Sequence, residues 1–140
     1  MNLNGGCLCG GVRYALDAEP FGLVDCHCLD CRRSSGAPYV TWGTVKRESF
    51  QLVRGTLHRV EHAGRIRSFA ECCGTQILFE DAPGWPKVDV AIATLDDPQP
   101  FRPTRAIWTE DKLPWVILNP EIPSTLRTPA IGNPAQAEQQ

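Results

Sequence analysis

Short runs in which apolar or β-branched residues alternate with polar ones recur along the chain, and Gly, Pro and Asp separate them. Runs of about four to eight residues with this pattern are typical of β-strands. The pattern predicts strands over residues 11–16, 39–45, 49–54, 56–61, 65–69, 75–80 and 88–94.

The sequence also predicts turns, one short helical segment and a C-terminal tail. An Arg-Gly pair at 54–55 and an Ala-Gly pair at 63–64 predict hairpin turns. A long amphipathic helical pattern is missing, and only the stretch after Cys28 has the character of a short helical turn. Proline recurs after Trp115, and residues 135–140 are a polar end. We therefore expect one all-β domain followed by a Pro-rich tail.

Composition and charge narrow the class of protein. Apolar residues make up 42% and charged residues 21% of the 140 positions, which excludes wholesale disorder. A net charge of −2 makes nucleic acid an unexpected partner. No apolar run approaches the roughly 18 residues that span a bilayer, and the first residues lack the pattern of a leader peptide. We expect a cytoplasmic protein with no membrane partner.

The seven cysteines are the unusual feature of the composition. An odd number cannot form a complete set of intramolecular disulfides, and the cytoplasm would keep such bonds reduced. Three groups contain them all, namely Cys7 with Cys9, Cys26 with Cys28 and Cys31, and Cys72 with Cys73. Clustered thiols of this kind favour a metal site, and zinc is the default metal for tetrahedral thiolate ligands.

The first group lies between two pairs of glycines, which permit a tight turn and leave backbone N–H groups free to bond sulfur. The alternative is a glycine-rich turn with two buried cysteines. The second group has three thiols within six residues, and these would repel one another as thiolates unless a cation neutralised them. Its fourth position is either filled from elsewhere, as in a structural zinc site, or open, as in a catalytic one.

The third group is ambiguous. Cys73, which precedes a glycine, can close a site begun by Cys7 and Cys9, whereas Cys72 is either a fourth ligand or a buried thiol. A disulfide between the two adjacent cysteines would be strained.

Residues around the second group carry weaker signals. His27 lies between two candidate ligands, and we expect it at the surface. Arg32 and Arg33 are either solvated charges or partners for a substrate carboxylate. Core or pocket-wall positions are expected for Trp42, Trp108 and Trp115.

Three segments together resemble the glutathione-dependent formaldehyde-activating enzyme family, which is also named for centromere protein V. The segments read GCLCGGVRY at 6–14, CHCLDCR at 26–32 and CGT at 73–75. The resemblance covers most of residues 3–116, which it makes one zinc-binding domain, and leaves 117–140 as the tail. It implies a small Mss4-like all-β fold of short antiparallel strands.

The resemblance also implies two zinc sites. The structural site would use Cys7, Cys9 and Cys73, together with a fourth cysteine at a position where this chain has Ala70. Either Cys72 replaces that ligand, or zinc keeps three thiolates with water or Glu71, or the first site is empty. The second site, to which the family's catalysis is assigned, would use Cys26, Cys28 and Cys31.

These alternatives lead to one prediction about the metal. We predict up to two zinc ions per chain, with the first site weakened by the alanine at position 70. The candidate ligands are Cys7, Cys9, Cys26, Cys28, Cys31, Cys72 and Cys73.

The activity that the resemblance implies is the joining of glutathione to formaldehyde. Zinc held by three thiolates would bind a thiol and lower its pKa, so that the sulfur could add to a carbonyl. We expect a zinc-dependent carbon–sulfur lyase that acts on a small, glutathione-type thiol–aldehyde adduct. The alternative is a non-enzymatic, zinc-stabilised binding or scaffold module. An open fourth position beside a pocket would indicate the enzyme.

Overall fold

Ten short strands and one short helix form the part of the chain that the computed structural model describes, residues 3–128. The strands are β1 (Leu3–Gly6), β2 (Arg13–Leu16), β3 (Phe21–Cys26), β4 (Val40–Lys46), β5 (Phe50–Arg54), β6 (Leu57–His62), β7 (Arg65–Ala70), β8 (Gln76–Glu80), β9 (Lys87–Ala91) and β10 (Arg105–Ile107). The helix α1 is Leu29–Ser35, and 3₁₀ turns are Arg47–Ser49, Ile92–Thr94 and Thr109–Asp111.

The strands form two sheets. One has three strands in the order β1-β2-β5, and the other has seven in the order β10-β3-β4-β9-β8-β7-β6. Neighbouring strands are antiparallel except β10 and β3, which run parallel. The prediction of a small all-β fold of short antiparallel strands is therefore confirmed.

Every run that the alternation predicts overlaps a strand, and α1 begins where the helical turn was expected. The sequence pattern missed β1, β3 and β10. β1 and β3 contain glycine, which is disfavoured in strands, and β10 has only three residues. Their extended conformation depends on the partner strands, which local sequence does not identify.

The two expected hairpin turns have different outcomes. Ala63 and Gly64 join β6 to β7, and their positive φ values of 53° and 79° are those of a type I′ turn. The prediction of a hairpin at 54–55 is wrong, because β5 pairs with β2 while β6 pairs with β7. Gly55 instead connects the two sheets, where a Cβ atom would lie 2.4 Å from the carbonyl oxygen of Gly11.

The main core lies between the two sheets. Tyr14 and Leu16 of β2 pack with buried aliphatic side chains of the larger sheet, among them Val45, Leu78 and Val90. A smaller cluster lies on the opposite face of the larger sheet, beneath α1. Its buried members are Val24, Cys26, Cys31, Trp42, Ala91 and Ile107.

The segment expected as a tail lies partly on the domain. The backbone N–H of Ala106 donates to Pro123, and that of Thr125 donates to Ala106, both at 3.0 Å, so this stretch runs beside β10. Trp115 is 68% exposed, so of the two positions expected for it, core or pocket wall, the core position is wrong. The division of the chain at residue 116 stays a prediction, and residues 129–140 lie outside the described residues.

No helix in the described range 3–128 has the length and apolar character that crossing a bilayer requires.

Gly43 in the middle of β4 provides a test of the packing between the sheets. A Cβ atom there would lie 2.6 Å from Cδ1 of Ile92 and 2.8 Å from atoms of Leu23 and Pro20. We expect Gly43→Ala to lower the free energy of unfolding by about 1–3 kcal/mol, because the core is overpacked. Urea denaturation measures this, with the exposed Gln51→Ala variant, expected within about 0.5 kcal/mol of the parent, as the control. Equal stabilities for the parent and Gly43→Ala would contradict the packing described.

Candidate metal centres

The fold collects all seven cysteines into two groups. One contains Cys7, Cys9, Cys72 and Cys73, and the other contains Cys26, Cys28 and Cys31. Within each group all the Sγ atoms lie within 4.8 Å of one another. Zinc–sulfur bonds of about 2.3 Å in a tetrahedron separate the sulfur atoms by about 3.8 Å. Both groups could therefore hold a metal ion.

The four-cysteine group lies at the surface, where the loop after β1 meets the turn after β7. The Sγ atom of Cys72 is 3.2 Å from that of Cys9 and 3.6 Å from that of Cys7. Cys9 and Cys72 are exposed, whereas Cys7 and Cys73 are half-buried. Cys72 is therefore not a buried thiol, and its sulfur belongs to the group.

Backbone N–H groups and glycines shape this surface site. The N–H of Val12 donates to Sγ of Cys7 at 3.2 Å, and the N–H of Gly11 donates to Sγ of Cys9 at 3.4 Å. A Cβ atom on Gly11 would lie 2.9 Å from Sγ of Cys72, so a glycine there leaves room for that sulfur. The glycines thus permit the tight turn and also leave space and backbone N–H groups for the sulfur atoms.

The position of Ala70 explains how Cys72 enters the group. Ala70 ends β7 and is 1% exposed, and its backbone bonds Gly74 and Thr75 at 2.7 Å to close the turn. Cys72 lies inside that turn, so its side chain can approach from the surface. The hydroxyl of Thr75, 3.3 Å from Sγ of Cys73, lowers the pKa of this thiol to about 5, which favours the ligand form.

The three-cysteine group is built at the junction of β3 and α1. Cys26 is the last residue of β3, Cys28 is the N-cap of α1, and Cys31 lies in the first turn of the helix. Sγ of Cys28 accepts a hydrogen bond from the N–H of Cys31 at 3.2 Å. Cys26 and Cys31 are buried and Cys28 is half-buried, so this group is shielded from water more than the first.

Donors beneath the helix surround Cys31. The indole N–H of Trp42 donates to its Sγ at 3.4 Å, and Nη2 of Arg67 lies 4.0 Å away. The pKa of Cys31 is lowered to about 3, mainly by hydrogen bonds to Cys26 and Cys28. The hydrogen bond from Trp42 and the positive charge of Arg67 lower this pKa further. The group therefore favours a thiolate at Cys31, which is the form that binds metals.

The sheet face beside Cys31 carries residues that sequence reasoning did not single out. Arg67, Phe79 and Asp89 are ladder neighbours on β7, β8 and β9. The guanidinium of Arg67 lies 4.7 Å from the centre of the Phe79 ring. Asp89 accepts a 2.6 Å hydrogen bond from the hydroxyl of Thr44, and burial raises its pKa to about 7. The alternation pattern predicts which residues of a strand share a face. It does not give the order of the strands in the sheet, and that order brings these three residues together.

The surface position expected for His27 is wrong. Its side chain is 1% exposed and packs against the ring of Tyr39, with centroids 4.8 Å apart. The backbone N–H of His27 donates to Ile107 at 3.0 Å, so this segment is tied to β10. Burial consequently lowers the pKa of the imidazole.

Comparisons with known proteins identify a matching family and a similar fold. The model of a family described as glutathione-dependent formaldehyde-activating enzyme matches residues 2–111. Among solved structures, the chain is similar to a Rhodobacter sphaeroides structural genomics target, with a TM-score of 0.53 and 23% identity over 87% of this chain and 99% of that one. At that identity the similarity shows the fold alone. A comparison with curated proteins gave no match.

Removal of Cys72 tests whether its sulfur completes the four-cysteine group. We expect Cys72→Ala to lower zinc from about two per chain to about one, because three thiolates at the surface retain the metal less well than four. Elemental analysis of protein purified without added metal gives the ratio. The control is Leu8→Ala, which shortens an 88% exposed side chain in the same loop. Unchanged zinc in Cys72→Ala would show that Cys72 is dispensable.

Trp42→Phe tests the hydrogen bond to the three-cysteine group. The change keeps an aromatic ring in the small core but removes the N–H donor to Cys31. We expect zinc bound there to be held at least about tenfold less tightly, as measured by competition with a chelator. Trp85→Phe, at a 41% exposed indole, is the control. The same affinity in both variants would mean that the indole acts through packing alone.

Proposed function

Because the chain belongs to the glutathione-dependent formaldehyde-activating enzyme family, we propose that it is a zinc-dependent carbon–sulfur lyase. Its substrates are a small thiol of the glutathione type and a small aldehyde, and it acts in the cytoplasm. In the forward direction the thiol sulfur forms a bond to the carbonyl carbon, and the thiol proton ends on the oxygen. The reverse reaction breaks the same carbon–sulfur bond. Neither direction changes an oxidation state at a metal.

The observation that carries this proposal is the difference between the two cysteine groups. Among residues 3–128, four sulfur atoms gather in the surface group and three in the group beneath α1. Four ligands complete a tetrahedral zinc site, as in structural sites, whereas three protein ligands leave one position for water or substrate. The three-cysteine group, Cys26, Cys28 and Cys31, is therefore the catalytic candidate.

The chain's own residues prepare that group for a metal and a thiol. Cys26, Cys28 and Cys31 would hold the metal, and the Trp42 N–H and the Arg67 guanidinium lie beside the Cys31 sulfur, where they stabilise its negative charge. When bound, zinc supplies a soft Lewis acid that takes up a thiol and lowers its pKa. The rings of Trp42 and Phe79 lie 6.0 Å apart on this face of the sheet.

The four-cysteine group has a structural role in this proposal. Its members come from the loop after β1, in the smaller sheet, and from the turn after β7, in the larger sheet. A metal held by Cys7, Cys9, Cys72 and Cys73 would link the two sheets at one end. Such a link adds the free energy of metal binding to that of folding.

One observation favours the alternative, a zinc-stabilised binding or scaffold module. A cavity of about 400 Å³ is lined by Asn4, Arg13, Tyr14, Val53 and Arg54, and none of these belongs to the three-cysteine group. A cavity that the three-cysteine group does not line is what a binding module of this fold would use.

An exchange experiment separates the two functions. Glutathione and formaldehyde form their adduct without a catalyst, so NMR exchange spectroscopy must measure the rate at which the adduct and the free thiol interconvert. We expect the zinc-loaded protein to raise this rate well above the uncatalysed background. Cys28→Ser should return it to background, because one of three metal ligands is lost.

The control for that experiment is His58→Ala, which changes an exposed side chain on β6 and should exchange at the parent rate. A zinc-loaded parent protein that exchanges only at the background rate would contradict the lyase and favour the scaffold.

A further inference from the structure

Among the described residues, Arg67 is a half-buried cation that pairs with no carboxylate group. Four ion pairs occur among the described residues, and Arg67 belongs to none of them. Its guanidinium nevertheless lies 4.0 Å from Sγ of Cys31. A partly buried charge is costly unless something compensates it. The position of Arg67 beside the candidate catalytic group therefore calls for an explanation.

Three side chains from two other elements, α1 and β8, fix the orientation of this side chain. Nη1 donates to the hydroxyl of Ser34 on α1 and to the amide oxygen of Gln76 on β8, both at 3.1 Å. The guanidinium also covers the ring of Phe79. The plane of the cation is thus set before any ligand binds, which reduces the entropy lost on binding.

These contacts leave one edge of the guanidinium for a ligand. Both N–H groups of Nη1 are used by Ser34 and Gln76, whereas Nε and Nη2 donate to no oxygen atom in the described part of the chain. Nη2 is the nitrogen nearest to Cys31. Two parallel N–H groups of this kind match the two oxygen atoms of a carboxylate.

Arg32 and Arg33, which the sequence offers for this role, are placed less favourably. Arg33 is exposed to solvent. Nε of Arg32 is buried without a hydrogen-bond partner among the described residues, so it is not presented to a ligand.

We propose that Arg67 binds a carboxylate of the thiol substrate and makes the three-cysteine site selective for thiols that carry one. This inference rests on the proposed function, since it requires a thiol at that site. The competing explanation is that Arg67 only balances the negative charge of the cysteine group.

Two small thiols distinguish these explanations. The zinc-loaded protein is titrated by calorimetry with 3-mercaptopropionate, which has a carboxylate, and with 2-mercaptoethanol, which has a hydroxyl instead. We expect the parent to bind 3-mercaptopropionate more tightly. Arg67→Gln should weaken that binding by about tenfold, the effect of losing a charge-assisted hydrogen bond. It should change the binding of 2-mercaptoethanol less than about twofold.

The control is Arg65→Gln, which removes an exposed charge two residues earlier on the same face of β7 and should leave both affinities unchanged. Arg67→Lys keeps the charge without the paired N–H groups, and we expect an intermediate affinity for 3-mercaptopropionate. It also serves as the second variant if Arg67→Gln fails to fold, and zinc content is measured for each protein.

Equal weakening for both thiols in Arg67→Gln, or loss of zinc from that variant, would overturn the proposal and assign Arg67 to the charge balance of the cysteine group. Unchanged binding of both thiols would overturn it as well. A parent protein that binds 2-mercaptoethanol but does not prefer 3-mercaptopropionate would contradict this inference alone. A parent protein that binds neither thiol would contradict the proposed lyase, and the assignment of Arg67 with it.

Discussion

The alternation of side chains along β4 connects the core of this protein to its candidate site. Val45 points into the main core between the two sheets, whereas Trp42 lies on the opposite face beneath α1. The indole therefore packs in the small core and donates its N–H to Cys31. A shift of one residue in the pairing of β4 would exchange the two faces and separate the cysteine group from its donor. Both the packing of the main core and the hydrogen bond to Cys31 thus depend on the register of β4.

The second constraint is that the negative charge of clustered thiolates must be stabilised. The two cysteine groups achieve this in different ways. The surface group uses backbone N–H groups of Gly11 and Val12. Water also screens the charge there, because two of its cysteines are exposed. The group beneath α1 is shielded from water and has fixed donors, Trp42 and Arg67, beside Cys31. Four protein ligands complete a tetrahedral zinc site, whereas three leave one position for another ligand.

Much of the fold followed from local pattern. The runs of alternating residues all overlap strands, because alternation reflects one buried and one exposed face. The hairpin predicted at 54–55 is wrong because a glycine with positive φ joins two sheets as readily as two strands of one hairpin. The burial of His27 was missed for a related reason. Its surroundings come from Tyr39 and Ile107, which are distant in sequence.

The sequence by itself determined the β class of the fold and the division of the cysteines into close groups. Both depend only on the spacing of residues that lie a few positions apart. The sequence predicted that Cys73 joins Cys7 and Cys9 but left open whether Cys72 does, and it did not mark Arg67. These depend on which strands become neighbours, a choice made by burial over the whole chain. Only the tertiary structure brought the sulfur of Cys72 to within 3.2 Å of Cys9 and the guanidinium of Arg67 to within 4.0 Å of Cys31. These contacts form because segments that are distant in the sequence pack together, and the local sequence pattern does not predict that packing.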